Sequence, residues 1–102
     1  KAAVSFLTKQ LAAEHVHTNI DVFAIAPGAT NTGMFQASTL NGMTDIERKD
    51  FIAQLPKGRL IEPEEIANLV LFLAAVESTY LHGAVIDASM GLGSRPGLIS
   101  EL

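Results

Sequence analysis

Few of the 102 residues carry groups able to do chemistry, and most of those few stand apart. The chain has no cysteine, which excludes a disulfide scaffold and a cysteine-ligated metal. His15 and His17 share a face only in an extended segment, and His82 is distant in sequence, so no metal site is expected. Glu64 and Glu65 are adjacent and, on a helix, point in different directions; they read as solvated partners of a helix dipole and not as an acid–base pair. Gly91-Leu92-Gly93 with Gly97 imitates a dinucleotide fingerprint, but Pro96 displaces the third glycine and five residues after Gly97 cannot supply a helix and a ribose-binding acid. It reads as part of a flexible, glycine-rich tail over 89–102. The remaining candidate is Pro27-Gly28 with Thr30 and Thr32. These residues leave the carboxyl end of an apolar run, where open α/β sheets bind ligands, although Pro-Gly followed by threonines is also ordinary turn chemistry.

The elements that must hold this turn are legible from periodicity. Val4, Leu7 and Leu11 recur at helical spacing and predict a helix over 1–15. No capping residue precedes it, so the sequence is expected to be a piece of a longer polypeptide. Residues 22–26 are continuously apolar, the pattern of a parallel strand covered on both faces, and predict a strand over 20–26. From 29 to 43 the composition suits a loop with one short helical turn. Thr44 then opens a capping box with Glu47, which predicts a helix over 45–54 stopped by Pro56 and Gly58. Glu62-Pro63-Glu64-Glu65 starts a helix that should end near Val76. Apolar residues wrap most of its circumference, the mark of a helix buried on two sides. Ser78-Thr79-Tyr80 and Gly83 turn the chain into a second strand over 84–88. This order is the back half of a βαβ array, and two parallel strands cannot cover both sheet faces or protect their edges.

Composition narrows the function classes. A net charge of −4 with scattered basic residues argues against a nucleic-acid surface, and 48% hydrophobic residues exclude intrinsic disorder. The longest apolar stretch, 69–76, is far short of a membrane span, and no signal peptide opens the chain. A soluble, cytoplasmic protein is expected.

Four stretches, in order, resemble the short-chain dehydrogenase/reductase family: Lys1-Ala2-Ala3-Val4 opening a helix; Ala26-Pro27-Gly28-Ala29-Thr30-Asn31-Thr32-Gly33-Met34 after a strand; Gly58-Arg59-Leu60-Ile61-Glu62-Pro63-Glu64-Glu65-Ile66-Ala67; and Ser78-Thr79-Tyr80-Leu81-His82-Gly83 before the last strand. The resemblance implies that residues 1–102 are the C-terminal part of a single Rossmann-like domain, a doubly wound parallel α/β sheet with flanking helices, whose N-terminal cofactor-binding half lies upstream. It implies an oxidoreductase using NAD or NADP, a hydride passing between nicotinamide and a carbonyl or alcohol such as a 3-oxoacyl thioester, a sugar or another small alcohol. Lys1 looks like the family's catalytic lysine, which holds the cofactor ribose and lowers the pKa of a tyrosine one helical turn before it. Read without the resemblance, Lys1 is an exposed terminal lysine. Tyr80 is not that tyrosine, since Ala84 and not a lysine follows it at the family's interval. By the same resemblance Pro27, Gly28, Thr30 and Thr32 lie along the nicotinamide, and 33–55 is a substrate lid. Met34, Phe35 and Leu40 then either shade an apolar pocket or simply tack the loop to the core. Ser89-Met90-Gly91 departs from the Asp-Gly-Gly that often ends the family's last strand, which puts the local turn geometry in question. Homodimers or homotetramers are implied as well, and the alternative to an enzyme is a catalytically silent fragment serving as an oligomerisation module.

Overall fold

The structure, a computed structural model, describes residues 2–75 and 77–92. Helix α1 (Ala2–Glu14) leads to strand β1 (Ala24–Pro27), and strand β2 (Val85–Ala88) pairs with it in parallel, Ala24 opposite Val85 and Pro27 opposite Ala88. The amides of Ala24 and Gly28 extend the ladder to the carbonyls of Ala84 and Ala88 at 3.0 and 3.1 Å. Parallel strands cannot be joined by a tight hairpin, so a long crossover runs between them. It holds α2 (Gly33–Phe35), a π turn (Gln36–Leu40), α3 (Asp45–Ala53), a 3-10 turn (Pro56–Gly58), α4 (Pro63–Ala75) and a second 3-10 turn (Thr79–Leu81). No helix among the described residues is long and apolar enough to cross a membrane.

The local signals hold where they depend on neighbours in sequence. Thr44 Oγ1 accepts from the Glu47 amide at 3.2 Å, and Glu47 Oε1 accepts from the Thr44 amide at 3.1 Å, so the capping box forms as the spacing predicts. Those bonds to Thr44 hold the Glu47 carboxyl below its usual range. Pro63 opens α4, with Glu64 and Glu65 in its first turn.

One expectation that depends on tertiary neighbours is corrected, and two apolar helix faces lie open within this chain. The first strand is shorter than the apolar run, because no strand among the described residues lies beside 20–23. Val22 is instead satisfied by the turn before β2, its amide donating to His82 Nδ1 at 2.9 Å and its carbonyl accepting from the Gly83 amide at 2.8 Å. On α1 the face turned inward is Thr8 and Ala12, whereas Val4 and Leu7 are 58% and 52% exposed. Thr8 tolerates burial because its hydroxyl donates to the Val4 carbonyl at 2.7 Å. Helix α4, expected to pack on a sheet with one side and on a partner subunit or another helix with the other, has no fully buried residue within this chain, and Leu71 is 64% exposed. One flank faces an open apolar cleft of about 480 Å³ lined by Phe23, Ile25, Val70, Leu73 and Ala74 with Asp21 at its rim. Two short strands present too narrow a surface to cover a helix apolar all round.

His82, set aside as a metal ligand, clasps α1 to the sheet. Its Nε2 donates to the Ala12 carbonyl at 2.8 Å while Nδ1 accepts from Val22, so its partners assign the ring proton to Nε2. Beside it Lys9 Nζ donates to the Gly83 carbonyl. Gly83 has φ 85°, and a Cβ there would stand 3.3 Å from that of Ala12, so the helix meets the turn at a position suited to glycine. Replacing His82 by Phe keeps the ring volume but leaves the Val22 amide without its acceptor. Urea unfolding of the polypeptide should show a loss of about 1–3 kcal/mol; a loss below about 0.5 kcal/mol would mean that water replaces the imidazole.

Candidate functional site

Both strands end at the same edge, and the turn 28–32 leaves from it. Pro27 is the exposed last residue of β1, and Gly28 bonds back to Ala88 of β2. A Cβ on Gly28 would lie 3.0 Å from Ser89 Cα and Cβ and 3.4 Å from Ile61 Cδ1, so the absence of a side chain permits the two strand ends to close. The Ser89 hydroxyl oxygen beside them is buried and makes no protein hydrogen bond. Met90 and Gly91 follow at φ 56° and 85°. The left-handed geometry that Asp-Gly-Gly would serve is therefore present, with Met90 adopting it at a cost of about 1–2 kcal/mol.

Thr30 pairs with Ile61 in an isolated parallel bridge: the Ile61 amide donates to the Ala29 carbonyl at 2.9 Å and the Asn31 amide to the Ile61 carbonyl at 2.8 Å. In such a bridge the flanking residues make the bonds, so the Thr30 amide is directed away from Ile61. The Thr30 hydroxyl donates to the Gly28 carbonyl at 2.9 Å, and its carbonyl accepts the Thr32 amide at 2.9 Å. Thr32 caps α2, its hydroxyl accepting from the Phe35 amide at 3.1 Å. Its O–H proton is left to donate outward. Pro27, Gly28, Thr30 and Thr32 are thus brought to one edge with an outward amide and hydroxyl. Lys1 lies outside the described residues, as do Gly93, Pro96 and Gly97.

Segment 33–55 folds back on itself. The Phe35 and Phe51 rings lie 6.1 Å apart at 39°, and Arg48 Nη2 donates to the Leu40 carbonyl at 3.2 Å. Leu40 is only 2% exposed and forms the core of this segment, whereas Met34 is 81% exposed. Leu40 thus ties the segment to its own core, and Met34 faces outward.

The sequence reading missed Ile61, buried behind the turn, and the ion pair that holds the 59–62 segment in place. Arg59 donates to both Glu65 oxygens, at 2.7 and 3.1 Å, and to the Leu60 carbonyl at 3.0 Å, while the Glu62 amide donates to Glu65 at 2.9 Å. Glu65 is therefore not simply a solvated dipole partner. Arg59 first, then the Glu62 amide, pull its carboxyl down to about 2. The spacing of Arg59 from a helix-initiating acid was the signal available. A depressed carboxyl contributes above its unfolded pKa, so the pair holds the 59–62 segment at pH values above the carboxyl's usual 4.5 and releases it as pH falls toward about 2. In Arg59→Met, NMR titration should move the Glu65 midpoint up toward 4.5; an unmoved midpoint would assign the shift to the backbone alone. Gly28→Ala should cost about 1–3 kcal/mol in chemical unfolding, since the contact is with backbone and cannot rotate away; unchanged stability would show that the strand ends can part freely.

A family model described as enoyl-(acyl carrier protein) reductase matches residues 1–93. A 3alpha-hydroxysteroid dehydrogenase of Mediterraneibacter gnavus is 44% identical over 87 residues, covering 85% of this chain and 33% of that protein. The 3-oxoacyl-[acyl-carrier-protein] reductase FabG of Thermotoga maritima is 39% identical over 92 residues, 90% of this chain and 35% of its own length. A solved structure from Beutenbergia cavernae with bound NADP at low occupancy superposes with a TM-score of 0.78 at 34% identity, over 93% of this chain and 37% of that one. The chain spans about a third of the length of the curated relatives it matches. Its parallel strands, crossover and edge turn are a portion of the Rossmann-like fold those relatives share, and the chain belongs to the short-chain dehydrogenase/reductase family.

Proposed function

We propose that the protein carrying these residues is an NAD(P)-dependent oxidoreductase, with residues 27–32 forming the wall beside the nicotinamide and 33–55 forming a lid over the substrate. The observation that carries this is the outward Thr30 amide and Thr32 hydroxyl at the carboxyl edge of a parallel pair, backed by the buried Ile61. Both groups offer a proton outward, and the oxygens of a carboxamide and a diphosphate accept, so the residues fit the oxygen side of that group. When bound, the nicotinamide supplies or takes the hydride.

The residues of this chain do the rest of their share by position. The Thr30 amide donates to the carboxamide oxygen and fixes the ring face, and the Thr32 hydroxyl donates to the carboxamide or diphosphate. Lys1 holds the ribose hydroxyls and, as a positive charge, lowers the pKa of an upstream tyrosine that moves the proton of the substrate oxygen. The lid, on which Met34 is exposed near the turn, excludes water from the reacting carbon. The relatives act on steroids and on 3-oxoacyl carriers, and a small carbonyl or alcohol of that breadth is the substrate class proposed here. Cytoplasmic residence is proposed with it.

A second reading, an oligomerisation module without catalysis, draws on the exposed apolar surface of α4 at Val70, Leu71 and Phe72. Homo-oligomers through that helix are compatible with both readings. Hydride transfer separates them. The full polypeptide, offered NADH or NADPH with a 3-oxoacyl thioester, a 3-oxosteroid and a keto sugar, should oxidise one nucleotide, and Lys1→Ala should reduce kcat by about 100-fold or more. Turnover unchanged by Lys1→Ala would remove Lys1 from the mechanism. Turnover by the isolated 102-residue chain would sink the module reading.

A further inference from the structure

We propose that Asn31 is a positioning residue that sets the angle of the lid against the nicotinamide wall. The proposal rests on the reading of 27–32 and 33–55 given above. Asn31 is fixed by its backbone, whose amide donates to the buried Ile61 at 2.8 Å. Its side chain then reaches in two directions. Oδ1 accepts from Gln36 Nε2 at 2.8 Å, and Nδ2 faces Glu62 Oε2 at 3.4 Å.

The orientation of this string follows from the acid at one end. An ionised carboxylate only accepts, so Glu62 requires the Asn31 NH2 on its side and leaves Oδ1 for Gln36, which must offer its own NH2. Glu62, at the start of α4, thereby orients two amides. Gln36 is a strategic recipient. Its amide bonds the Thr32 carbonyl at 2.9 Å, and its carbonyl takes the Asn41 amide at 2.8 Å to form the π turn that ends at Leu40. Holding the Gln36 side chain therefore holds the first turns of the lid. Packing adds little just before them, since a Cβ on Gly33 would have nothing within 4 Å, and that stretch is held by the bonds of Thr32 to the Phe35 and Gln36 amides. The Asn31–Gln36 bond is a side-chain tie across the same stretch, added to those two backbone restraints. Asn31 also sits between Thr30 and Thr32, the two proposed nicotinamide contacts, so nucleotide that tightens 30–32 steadies the lid through the same side chain.

The test uses the full polypeptide, with hydrogen exchange of 33–43 followed by mass spectrometry without nucleotide and with NADH or NADPH. In the parent, nucleotide should slow exchange of 33–43 several-fold. In Gln36→Met, outside the nicotinamide wall, nucleotide affinity should stay within about threefold while that slowing is lost; Asn31→Ala should lose the slowing too, and in both variants substrate KM should rise more than kcat falls. The double variant Asn31→Asp with Glu62→Gln exchanges donor and acceptor on the second bond and keeps the acceptor toward Gln36, so it should restore the slowing. Full nucleotide-dependent slowing in Asn31→Ala would overturn the proposal, as would a double variant that behaves like Asn31→Ala. A parent that binds neither nucleotide would instead overturn the underlying reading of the turn, a separate and recognisable failure.

Discussion

Parallel pairing of β1 and β2 is the constraint from which the rest follows. A parallel partner begins at the end of the sheet opposite to where the first strand finishes, so the chain must leave at the carboxyl edge, travel the length of the sheet and re-enter. Everything between Pro27 and Val85 serves that journey. The departing turn is pressed against the end of β2 through Gly28 and Ser89, and it gains a second support when Ile61 comes back beside Thr30 on the return. A ligand-binding edge thus arises where the crossover both leaves and passes by, with backbone groups held rigid by neighbours distant in sequence.

Sequence revealed what adjacent residues decide. The Thr44–Glu47 box, Pro63 at the first turn of α4 and the glycine at 83 are each settled within a few positions, and they stand where their spacing puts them. The turn at 27–32 was found by its composition and by family resemblance together. Hidden were features that need two remote segments at once. The Thr30–Ile61 bridge, the Asn31–Gln36–Glu62 string and the imidazole between Ala12 and Val22 join residues whose types carry no mark of their partners.

The gaps between apolar pattern and burial within this chain share a cause. A 3.6-residue stripe or a continuous apolar run reports that a surface is meant to be covered, and it does not report by what. Val4 and Leu7 form such a stripe, yet within this chain α1 docks through Thr8 and Ala12, because the available partner is a glycine turn that accepts only a small residue. Helix α4 repeats the lesson on a larger scale: its apolar girth exceeds what β1 and β2 can shelter, so hydrophobic pattern and observed burial diverge most where the sheet is narrowest.

The passage from α3 into α4 carries a quieter implication. Lys57 and Gly58 both take left-handed backbone angles, φ 64° and 66°, inside the short turn that follows Leu55. Glycine adopts that geometry freely, and lysine does so against its own Cβ. Tolerance to substitution at position 57 is accordingly governed by handedness and not by charge: Gly or Asn would relax the backbone, whereas Val or Ile would force the turn open and lengthen the path to Arg59. The joint is chirally selective, and that selectivity, more than any side-chain contact, dictates where the second half of the crossover can begin.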